Sequence, residues 1–263
     1  MAAEPLVLIH GFTGTAGIWE PILPALREHH DVTAVALLGH CGGEPFPEGV
    51  APSFSALADG VERDMDAAGI ERAHLVGNSL GGWLALELGH RGRALSVVAL
   101  SPAGGAEPGS RADKRLEPYF RRTHRLLQFA GPRAEALTKR PRLRKLVLRD
   151  IASYPERIPP RAAAEMVRSS YECPAYLELL EALIEGGPAT DLSGIDVPVR
   201  LAWGTRDRIL PLEDFSPRLL RLVPSAELVR LEGLGHCPQS DDPPGVARTI
   251  LEVTARAEVP ATA

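Results

Sequence analysis

Cysteine is scarce in this sequence, and the segments that would carry the chain into or across a membrane are missing. The three cysteines, Cys41, Cys173 and Cys237, are odd in number and far apart, which favours a reducing cytoplasm over a disulfide framework. No stretch approaches the roughly 20 apolar residues of a membrane span. The first residues carry neither the basic region nor the apolar core of a signal peptide. We therefore expect a cytoplasmic protein without a membrane span.

Patterns that bind metal ions, dinucleotides and nucleic acids are missing as well. The cysteines form no Cys-x-x-Cys pair, no helical pattern carries His-x-x-x-His, and Gly11-Phe12-Thr13-Gly14 lacks the remaining glycines of a dinucleotide fingerprint. The formal net charge of −5 argues against a general nucleic-acid binder. We expect no metal ion, no cofactor and no nucleic-acid partner, and the sequence leaves the oligomeric state open.

Short apolar runs alternate with longer helix-like stretches through most of the 263 residues. Continuous apolar strands between helices are typical of a parallel sheet that is covered on both faces. We predict an α/β fold with a mostly parallel six-stranded sheet, and we expect all six strands to be parallel, with helices on both faces. The predicted strands are residues 6–10, 32–37, 73–77, 95–100, 197–204 and 226–231, and the predicted core helices are residues 19–28, 54–68, 80–90, 212–221 and 244–256.

The alternation stops between residues 102 and 191, where glycines and prolines separate helix-like pieces. These pieces are residues 111–130, 134–152, 160–170 and 173–185. We therefore expect a core domain made of residues 1–103 and 190–263, with residues 104–189 inserted into it as a helical unit.

A serine occupies the tight turn where a buried strand becomes a helix. Gly77-Asn78-Ser79-Leu80-Gly81 follows an apolar run and opens a helix-like stretch. Glycines two residues before and after the serine are expected because strand and helix pack too closely there for a Cβ atom. The first N–H groups of the helix would point towards a developing oxyanion. This pattern predicts an exposed nucleophilic serine; the alternative is a glycine-rich turn with an incidental serine.

An acid and a histidine follow two later strands, in the chain order Ser…Asp…His. Asp207 follows the fifth predicted strand, and His236 lies in a glycine-flanked loop after the sixth. All three side chains would lie at the carboxyl ends of parallel strands, where open α/β sheets place their sites. Glu213 and Asp214 are alternative acids, but they lie inside the next predicted helix, so we favour Asp207.

These motifs resemble those of the α/β-hydrolase superfamily. The resemblance implies that Ser79 is the nucleophile, that His236 is the base and that Asp207 orients it. It also implies an oxyanion hole made by the backbone N–H groups of Phe12 and Leu80, and an inserted helical cap above the nucleophile that shapes the substrate pocket. The match is carried by His10-Gly11-Phe12, Gly77-Asn78-Ser79-Leu80-Gly81-Gly82, Gly204-Thr205-Arg206-Asp207 and Gly235-His236.

Four further residues near these motifs are candidates for the substrate pocket. His10 and Gly11 belong to the loop that carries Phe12, where His10 is expected to support the loop rather than to perform chemistry. His40 would line the pocket or pack within its own loop. Trp83, four residues after Ser79, would border the pocket or point into the core.

Basic residues are concentrated in the first half of the helical insertion. Residues 111–149 contain 13 basic and three acidic residues, a net +10, so the rest of the chain carries −15. One interpretation is that this segment attracts an anionic small-molecule substrate or an acidic carrier partner. The other is that the basic side chains form solvated faces of amphipathic helices. The second is favoured because Leu143, Leu146, Val147 and Ile151 would share one face of the helix predicted over residues 134–152.

The resemblance implies a cofactor-independent serine hydrolase that acts on a small molecule through an acyl-enzyme on Ser79. The expected substrate is a small or medium carboxylic ester, with a thioester or a lactone as close variants. Epoxide hydrolases and haloalkane dehalogenases are disfavoured because they use aspartate where Ser79 stands.

Three other functions are alternatives. Residues 77–82 are similar to the elbow of enzymes that hydrolyse carbon–carbon bonds of dienol diketones, although those relatives usually have a tryptophan where Cys237 stands. Residues 10–14 weakly resemble a menaquinone-pathway branch of cofactor-free lyases or synthases acting on anionic metabolites, but Trp83 replaces an arginine of that branch. A non-catalytic receptor is the third alternative, and an intact triad argues against it.

Overall fold

The computed structural model describes residues 3–186 and 191–257. Within these ranges six strands form one sheet in the order β2-β1-β3-β4-β5-β6, and every neighbouring pair is parallel. This confirms the predicted six-stranded parallel sheet. The strands are β1 (Pro5–Ile9), β2 (Asp31–Val35), β3 (Ala73–Asn78), β4 (Ala94–Leu100), β5 (Val199–Gly204) and β6 (Glu227–Leu231).

Four of the five predicted core helices are present near their predicted bounds, one is divided, and the short helix Pro238–Asp241 was not predicted. The helix predicted over residues 19–28 is two pieces, a 3₁₀ turn at Ala16–Trp19 and a short helix that begins at Leu23. Pro21 lies between them, and because proline has no backbone N–H it cannot continue a helical hydrogen-bond ladder. The covering helices are α1 (Leu23–Arg27), α2 (Phe54–Ala67), α3 (Leu80–His90), α9 (Leu212–Leu222), α10 (Pro238–Asp241) and α11 (Pro243–Ala257).

Successive side chains of the strands serve opposite faces of the sheet. Leu6 and Leu8 of β1 pack into an apolar cluster with α1 and α11, whereas Val7 and Ile9 pack into a larger cluster with α2, α3 and α9. The inner strands β3 and β5 are buried along their whole length. Helices on both faces therefore explain why these strands are continuous apolar runs rather than alternating patterns.

A helical segment follows β4, and some of its residues, such as Ala175 and Leu179, pack into the core cluster of the sheet. It builds a third apolar cluster in which Leu148, Val167 and Leu180 are buried. The predicted boundary near residues 189 and 190 lies outside the described residues, so the division into two domains stays a prediction. The helices of the segment are α4 (Arg111–Ala130), α5 (Ala134–Lys139), α6 (Pro141–Val147), α7 (Pro160–Tyr171) and α8 (Tyr176–Gly186).

The single helix predicted over residues 134–152 is wrong. The chain leaves the helical conformation at Arg140, with φ −94° and ψ 123°, because a following proline disfavours helical geometry in the residue before it. The second piece, α6, already ends at Val147.

Because α6 ends at Val147, Ile151 lies outside it, and the four apolar residues do not share one helix as predicted. Leu143, Leu146 and Val147 remain together on α6, where Leu146 is 61% exposed. The interpretation of the basic residues as a solvated helical face stays a prediction.

In the described parts of the chain no helix combines the length and the apolar character that crossing a bilayer requires. Cys41, Cys173 and Cys237 are all free thiols.

Candidate active site

Ser79 lies in a strained turn between the end of β3 and the start of α3. Its backbone has φ 57° and ψ −117°, a region that residues with a Cβ atom rarely adopt. The N–H of Ser79 donates to the carbonyl of Leu100 over 2.9 Å, and its own carbonyl accepts from Trp83 over 3.1 Å. Both neighbouring elements therefore hold the turn, and its side chain lines a cavity.

The glycines on either side of Ser79 are required by close backbone approach. A Cβ atom on Gly77 would overlap the carbonyl of Gly81, and one on Gly81 would overlap the carbonyl of Ile9. The strand, the turn and the helix can therefore meet only where side chains are absent. This close approach explains why glycines stand two residues before and two residues after Ser79.

The structure brings Asp207 and His236 into contact. Nδ1 of His236 lies 2.7 Å from Oδ2 of Asp207, and both side chains are buried. The other carboxylate oxygen, Oδ1, accepts hydrogen bonds from the backbone N–H groups of Ile209 and Leu210, each over 2.9 Å. The carboxylate is thus held on both sides.

This contact determines the proton position on the neutral imidazole. Because Oδ2 of Asp207 accepts, Nδ1 of His236 carries the hydrogen, and Nε2 is left with a lone pair. The alternative acids lie elsewhere, since Glu213 and Asp214 are exposed on α9, where Glu213 pairs with Arg230. Ser79 and His236 line the same cavity.

Two backbone N–H groups beside Ser79 have no acceptor among the described residues. They belong to Phe12, in the loop after β1, and to Leu80, the first residue of α3. The loop is close to the serine, since a Cβ atom built on Gly11 would lie 3.1 Å from the Cβ of Ser79. Free donors near a nucleophile are the groups that stabilise negative charge on a carbonyl oxygen.

Two buried histidines lie behind this loop. Nδ1 of His10 donates to the carbonyl of Gly11 over 2.9 Å, and Nε2 accepts from the N–H of Leu37 over 3.1 Å. Burial, and secondarily the neighbouring His40, lowers the pKa of His10 to about 3. Burial lowers the pKa of His40 to about 4. Both rings are therefore neutral near pH 7 and hold the loop as hydrogen-bonding and packing groups.

Of the four candidates for the substrate pocket, only Gly11 lines the cavity. His10 is fully buried beneath the loop, and His40 packs edge-on against it with ring centroids 5.2 Å apart. Trp83 is fully buried in the core beside Phe54. It packs into the core cluster instead of facing the cavity.

The cavity has a volume of about 1130 Å³ and lies between the sheet and the helical segment. The core contributes Ser79, Phe12 and His236, and the segment contributes apolar and aromatic side chains such as Tyr119 and Leu127. The ring of Phe12 packs against Phe120 and Tyr176 of the segment, with centroids 5.4 and 4.9 Å away. Most of the lining surface is apolar, which is typical of a small-molecule site, and charged side chains such as Arg149, Arg161 and Glu165 also line it.

Comparison with known proteins identifies the family. A model of the alpha/beta hydrolase family matches residues 6–249. The chain belongs to the alpha/beta hydrolase family. It is an enzyme of hydrolytic type, in agreement with the family suggested by its motifs.

The hydrolase is similar to proteins that are named for different reactions. The epoxide hydrolase EphH of Mycobacterium tuberculosis is 34% identical over 200 residues, which cover 75% of this chain and 93% of that protein. The structure of 2-hydroxy-6-oxo-6-phenylhexa-2,4-dienoate hydrolase from Rhodococcus sp. strain RHA1 matches with a TM-score of 0.71 and 26% identity, covering 97% of this chain and 91% of that chain. A thermophilic esterase from Thermogutta terrifontis shares the fold, with a TM-score of 0.74, 20% identity, and coverage of 98% and 92%.

Asn78 links the two halves of the hydrolase site, a role that the sequence did not reveal. Its amide nitrogen donates to the carbonyls of Leu100 and His236, over 3.0 and 2.9 Å. Its amide oxygen accepts from the thiol of Cys237 and from Gln239. The residue before the serine therefore fixes the loop that carries the histidine. Its position inside the Gly77–Gly81 motif was the only signal.

Cys237, directly after His236, is a buried packing residue. Burial raises the pKa of its thiol well above the ordinary range, with the nearby Asp207 and Asp241 adding to the shift. A protonated, hydrogen-bonded thiol is a weak nucleophile.

Asp241 is a second residue that the sequence did not reveal. Its buried carboxylate accepts hydrogen bonds from the N–H groups of Ser153 and Tyr154 in the helical segment, over 2.9 and 2.8 Å. It also accepts from the N–H of Gly235 over 2.7 Å. One carboxylate thus joins the helical segment to the residue before His236. No spacing in the sequence indicates these partners, since they depend on contacts 87 and 88 residues away.

Proposed function

We propose that the hydrolase cleaves a small or medium carboxylic ester, or a thioester or lactone, through an acyl-enzyme on Ser79. The observation that supports this most is the shared cavity of Ser79 and His236, with His236 Nδ1 2.7 Å from Asp207. A serine hydroxyl becomes a useful nucleophile when a base oriented by a third group is aimed at it.

In the proposed cycle, Oγ of Ser79 attacks the carbonyl carbon while Nε2 of His236 takes the hydroxyl proton. His236 then returns that proton to the leaving alcohol, and the acyl group stays on Ser79 as an ester. Water attacks the acyl carbon next, giving its proton to His236. The proton passes to Oγ of Ser79 as the carboxylic acid leaves. The charge of Asp207 stabilises the imidazolium that forms in each half of the cycle.

We assign the oxyanion hole to the N–H groups of Phe12 and Leu80, which have no acceptor among the described residues. Negative charge develops on the carbonyl oxygen only in the transition state, so donors held ready there stabilise the transition state more than the bound ester. His10 keeps the Phe12 loop in place through its bonds to Gly11 and Leu37.

We propose that residues 104–189 act as a cap over this site. Side chains of α4 and α7 line the cavity together with Ser79, and Phe12 of the core packs between Phe120 and Tyr176. Such a cover excludes bulk water and sets the shape of the acyl pocket. We further propose a cytoplasmic location, because the three free thiols fit a reducing compartment.

A second candidate is hydrolysis of a carbon–carbon bond beside a ketone. It is supported by the likeness to the Rhodococcus dienoate hydrolase, at 26% identity. The same nucleophile and base would serve this reaction. Cys237 makes carbon–carbon hydrolysis our second choice. Enzymes that catalyse that reaction usually have a tryptophan directly after the histidine, whereas here the thiol of Cys237 donates a hydrogen bond to Asn78.

Epoxide opening is disfavoured by the chemistry of residue 79, although EphH is named an epoxide hydrolase. Attack of the Ser79 hydroxyl on an epoxide carbon would leave an ether. An ether has no electrophilic carbonyl carbon, so water could not release the product as it does from an acyl-enzyme. An aspartate at this position would form a hydrolysable ester instead.

Labelling and turnover test the proposal together. A fluorophosphonate probe should label the wild-type protein and Ser170→Ala, but not Ser79→Ala. Ser170 is the matched control because it lines the same cavity while its hydroxyl is bonded to Thr13 and Met166. A panel of p-nitrophenyl esters should be hydrolysed, with kcat at least about 10⁴-fold lower in Ser79→Ala.

Three outcomes would decide against an ester. Decay of a coloured dienolate without ester turnover would favour carbon–carbon cleavage. Turnover of a styrene oxide probe that survives in Ser79→Ala would mean that the serine is not the nucleophile. Labelling without turnover of any substrate in the panel would point to a receptor.

A further inference from the structure

The three most exposed large apolar side chains of the described residues project from the helical segment into solvent. Leu126 and Phe129 of α4 are 57% and 73% exposed, and Leu146 of α6 is 61% exposed. Leaving such side chains in water forgoes the free energy that their burial would provide. Exposed apolar side chains that cluster in one place often mark a surface that contacts another protein or a membrane.

Basic residues share the same helical faces. On α4, Arg122, Leu126 and Phe129 are spaced by four and three residues, so they lie on one side of the helix. Arg125, one turn before Phe129, is exposed beside them. On α6, Arg142 is one turn before Leu146 and is also exposed. We name these six residues the basic-apolar surface.

The cations of this surface lack the partners that other arginines have. Within the described ranges Arg122, Arg125 and Arg142 form no ion pair. In contrast, Arg121 on the neighbouring side of α4 pairs with both Glu117 and Glu181. Acidic side chains are therefore near α4, but they serve another face, and the basic-apolar surface keeps its positive charge.

The surface borders the opening of the cavity that contains Ser79. Leu126 of α4 and Leu146 of α6 both line the cavity while more than half of each side chain is in contact with solvent. A side chain with both properties must stand at the mouth. The basic-apolar surface therefore forms part of the rim of the mouth, which it shares with other exposed lining residues such as Glu20 and Arg161.

We propose that the basic-apolar surface docks on the surface of an anionic lipid bilayer. Anionic headgroups match the unpaired arginines, and the acyl chains beneath them accept Phe129, Leu126 and Leu146. An acidic protein would match the charge as well, but it would also need an apolar patch shaped to three separate side chains. Docking in this orientation would turn the cavity mouth towards the bilayer, so lipid-dissolved substrates would reach Ser79 directly. Only this last consequence rests on the proposed function.

Co-sedimentation with vesicles tests the docking. The full chain, as wild type and as Ser79→Ala, is mixed with phosphatidylcholine vesicles and with vesicles that contain phosphatidylglycerol in addition. We expect both proteins to sediment with the anionic vesicles only, and binding to weaken as salt is raised. Because Ser79→Ala should bind normally, docking can be judged even if the proposed chemistry fails.

Two variants separate the apolar and the electrostatic contributions. Phe129→Ser should weaken vesicle binding about tenfold or more, because burial of a phenylalanine side chain in the acyl region is lost. Arg122→Glu combined with Arg125→Glu should weaken it at least about 25-fold, at about fivefold for each cation lost. The matched controls are Val50→Ser and Arg27→Glu. They change an exposed apolar residue and an exposed arginine that lie outside the helical segment, and both variants should bind vesicles like the wild type.

Hydrolysis of a water-soluble ester and thermal melting show whether each variant is folded. The proposal is overturned if anionic vesicles do not bind the folded wild-type chain, or if uncharged vesicles bind it equally well. It is also overturned if the arginine variant loses binding while Phe129→Ser keeps it, because the proposed docking requires the apolar side chains to enter the acyl region as well as charge attraction.

Discussion

Replacing Asp207 with asparagine tests the arrangement around His236 with almost no change in shape. In the folded protein Oδ2 of Asp207 accepts from His236 Nδ1 over 2.7 Å, and Oδ1 accepts from the N–H groups of Ile209 and Leu210. An asparagine offers one accepting oxygen and an NH₂ group that only donates. The new side chain can therefore satisfy one side of this arrangement but not both.

The two backbone N–H groups determine which way the amide turns. If its oxygen faced His236, its NH₂ group would point at the N–H groups of Ile209 and Leu210, leaving two buried donors unsatisfied at about 1–3 kcal/mol each. The oxygen therefore stays on the backbone, and the NH₂ group donates to Nδ1 of His236. The imidazole then carries its hydrogen on Nε2, where it has no lone pair for the proton of Ser79.

We expect kcat for a p-nitrophenyl ester to fall about 10³–10⁴-fold in Asp207→Asn, with KM nearly unchanged because the cavity keeps its shape. This loss corresponds to about 4–5.5 kcal/mol in the barrier. Steady-state kinetics at neutral pH measures it, and circular dichroism during heating shows whether the variant is folded.

Asp214→Asn is the matched control, because it makes the same change at an exposed acid of α9 that was the alternative candidate. It should hydrolyse the ester at the wild-type rate. If Asp207→Asn melts like the wild type and keeps kcat within tenfold of it, the tautomer argument is refuted and another residue must orient the histidine.

Two further predictions concern buried groups behind the site. The pKa of His10 is lowered to about 3 and that of His40 to about 4, mainly by burial. As the pH falls below about 6.5, these histidines take up protons in the unfolded chain before they do so in the folded protein. The free energy of unfolding should therefore drop by roughly 1.4 kcal/mol per pH unit for each histidine, until the pH reaches the pKa of that histidine in the folded protein. Urea unfolding between pH 7 and pH 4.5 measures this decrease. Asp241→Asn should destabilise the fold by about 1–3 kcal/mol, because its amide cannot accept from all three N–H groups. It should also lower kcat, because the residue before His236 is released; melting and ester kinetics measure both effects.

Each of these predictions has a comparison that can contradict it. A pH slope as steep in His10→Gln as in the wild type would show that this histidine is not held neutral by burial. For the aspartate, Asp242→Asn is the control, since Asp242 accepts one N–H bond, from Gly245, which an amide oxygen can keep. Equal stability and equal kcat in Asp241→Asn and Asp242→Asn would remove the positioning role of Asp241.

Local sequence was sufficient wherever the structure depends on neighbours along the chain. The turn at Ser79 was predictable because the glycines two residues away permit a backbone contact that any Cβ atom would block. The inner strands were predictable because burial on both faces demands largely apolar runs, as in β1, β3, β4 and β5. The break before Pro141 could also have been predicted from the local sequence. The single helix over residues 134–152 was predicted wrongly because the apolar spacing was followed across a proline.

The six parallel strands, the turn at Gly77–Gly81 and the meeting of Asp207 with His236 could thus be predicted from the sequence, because they follow from short-range patterns and chain order. The links of Asn78 to the His236 loop and of Asp241 to the helical segment were decided only by the tertiary structure. So were the burial of His10 and Trp83 away from the cavity and the exposure of Leu146. These features depend on which distant segments meet in the folded chain. A hydrogen bond or a buried face requires a partner, and a local sequence pattern does not predict a partner that is remote along the chain.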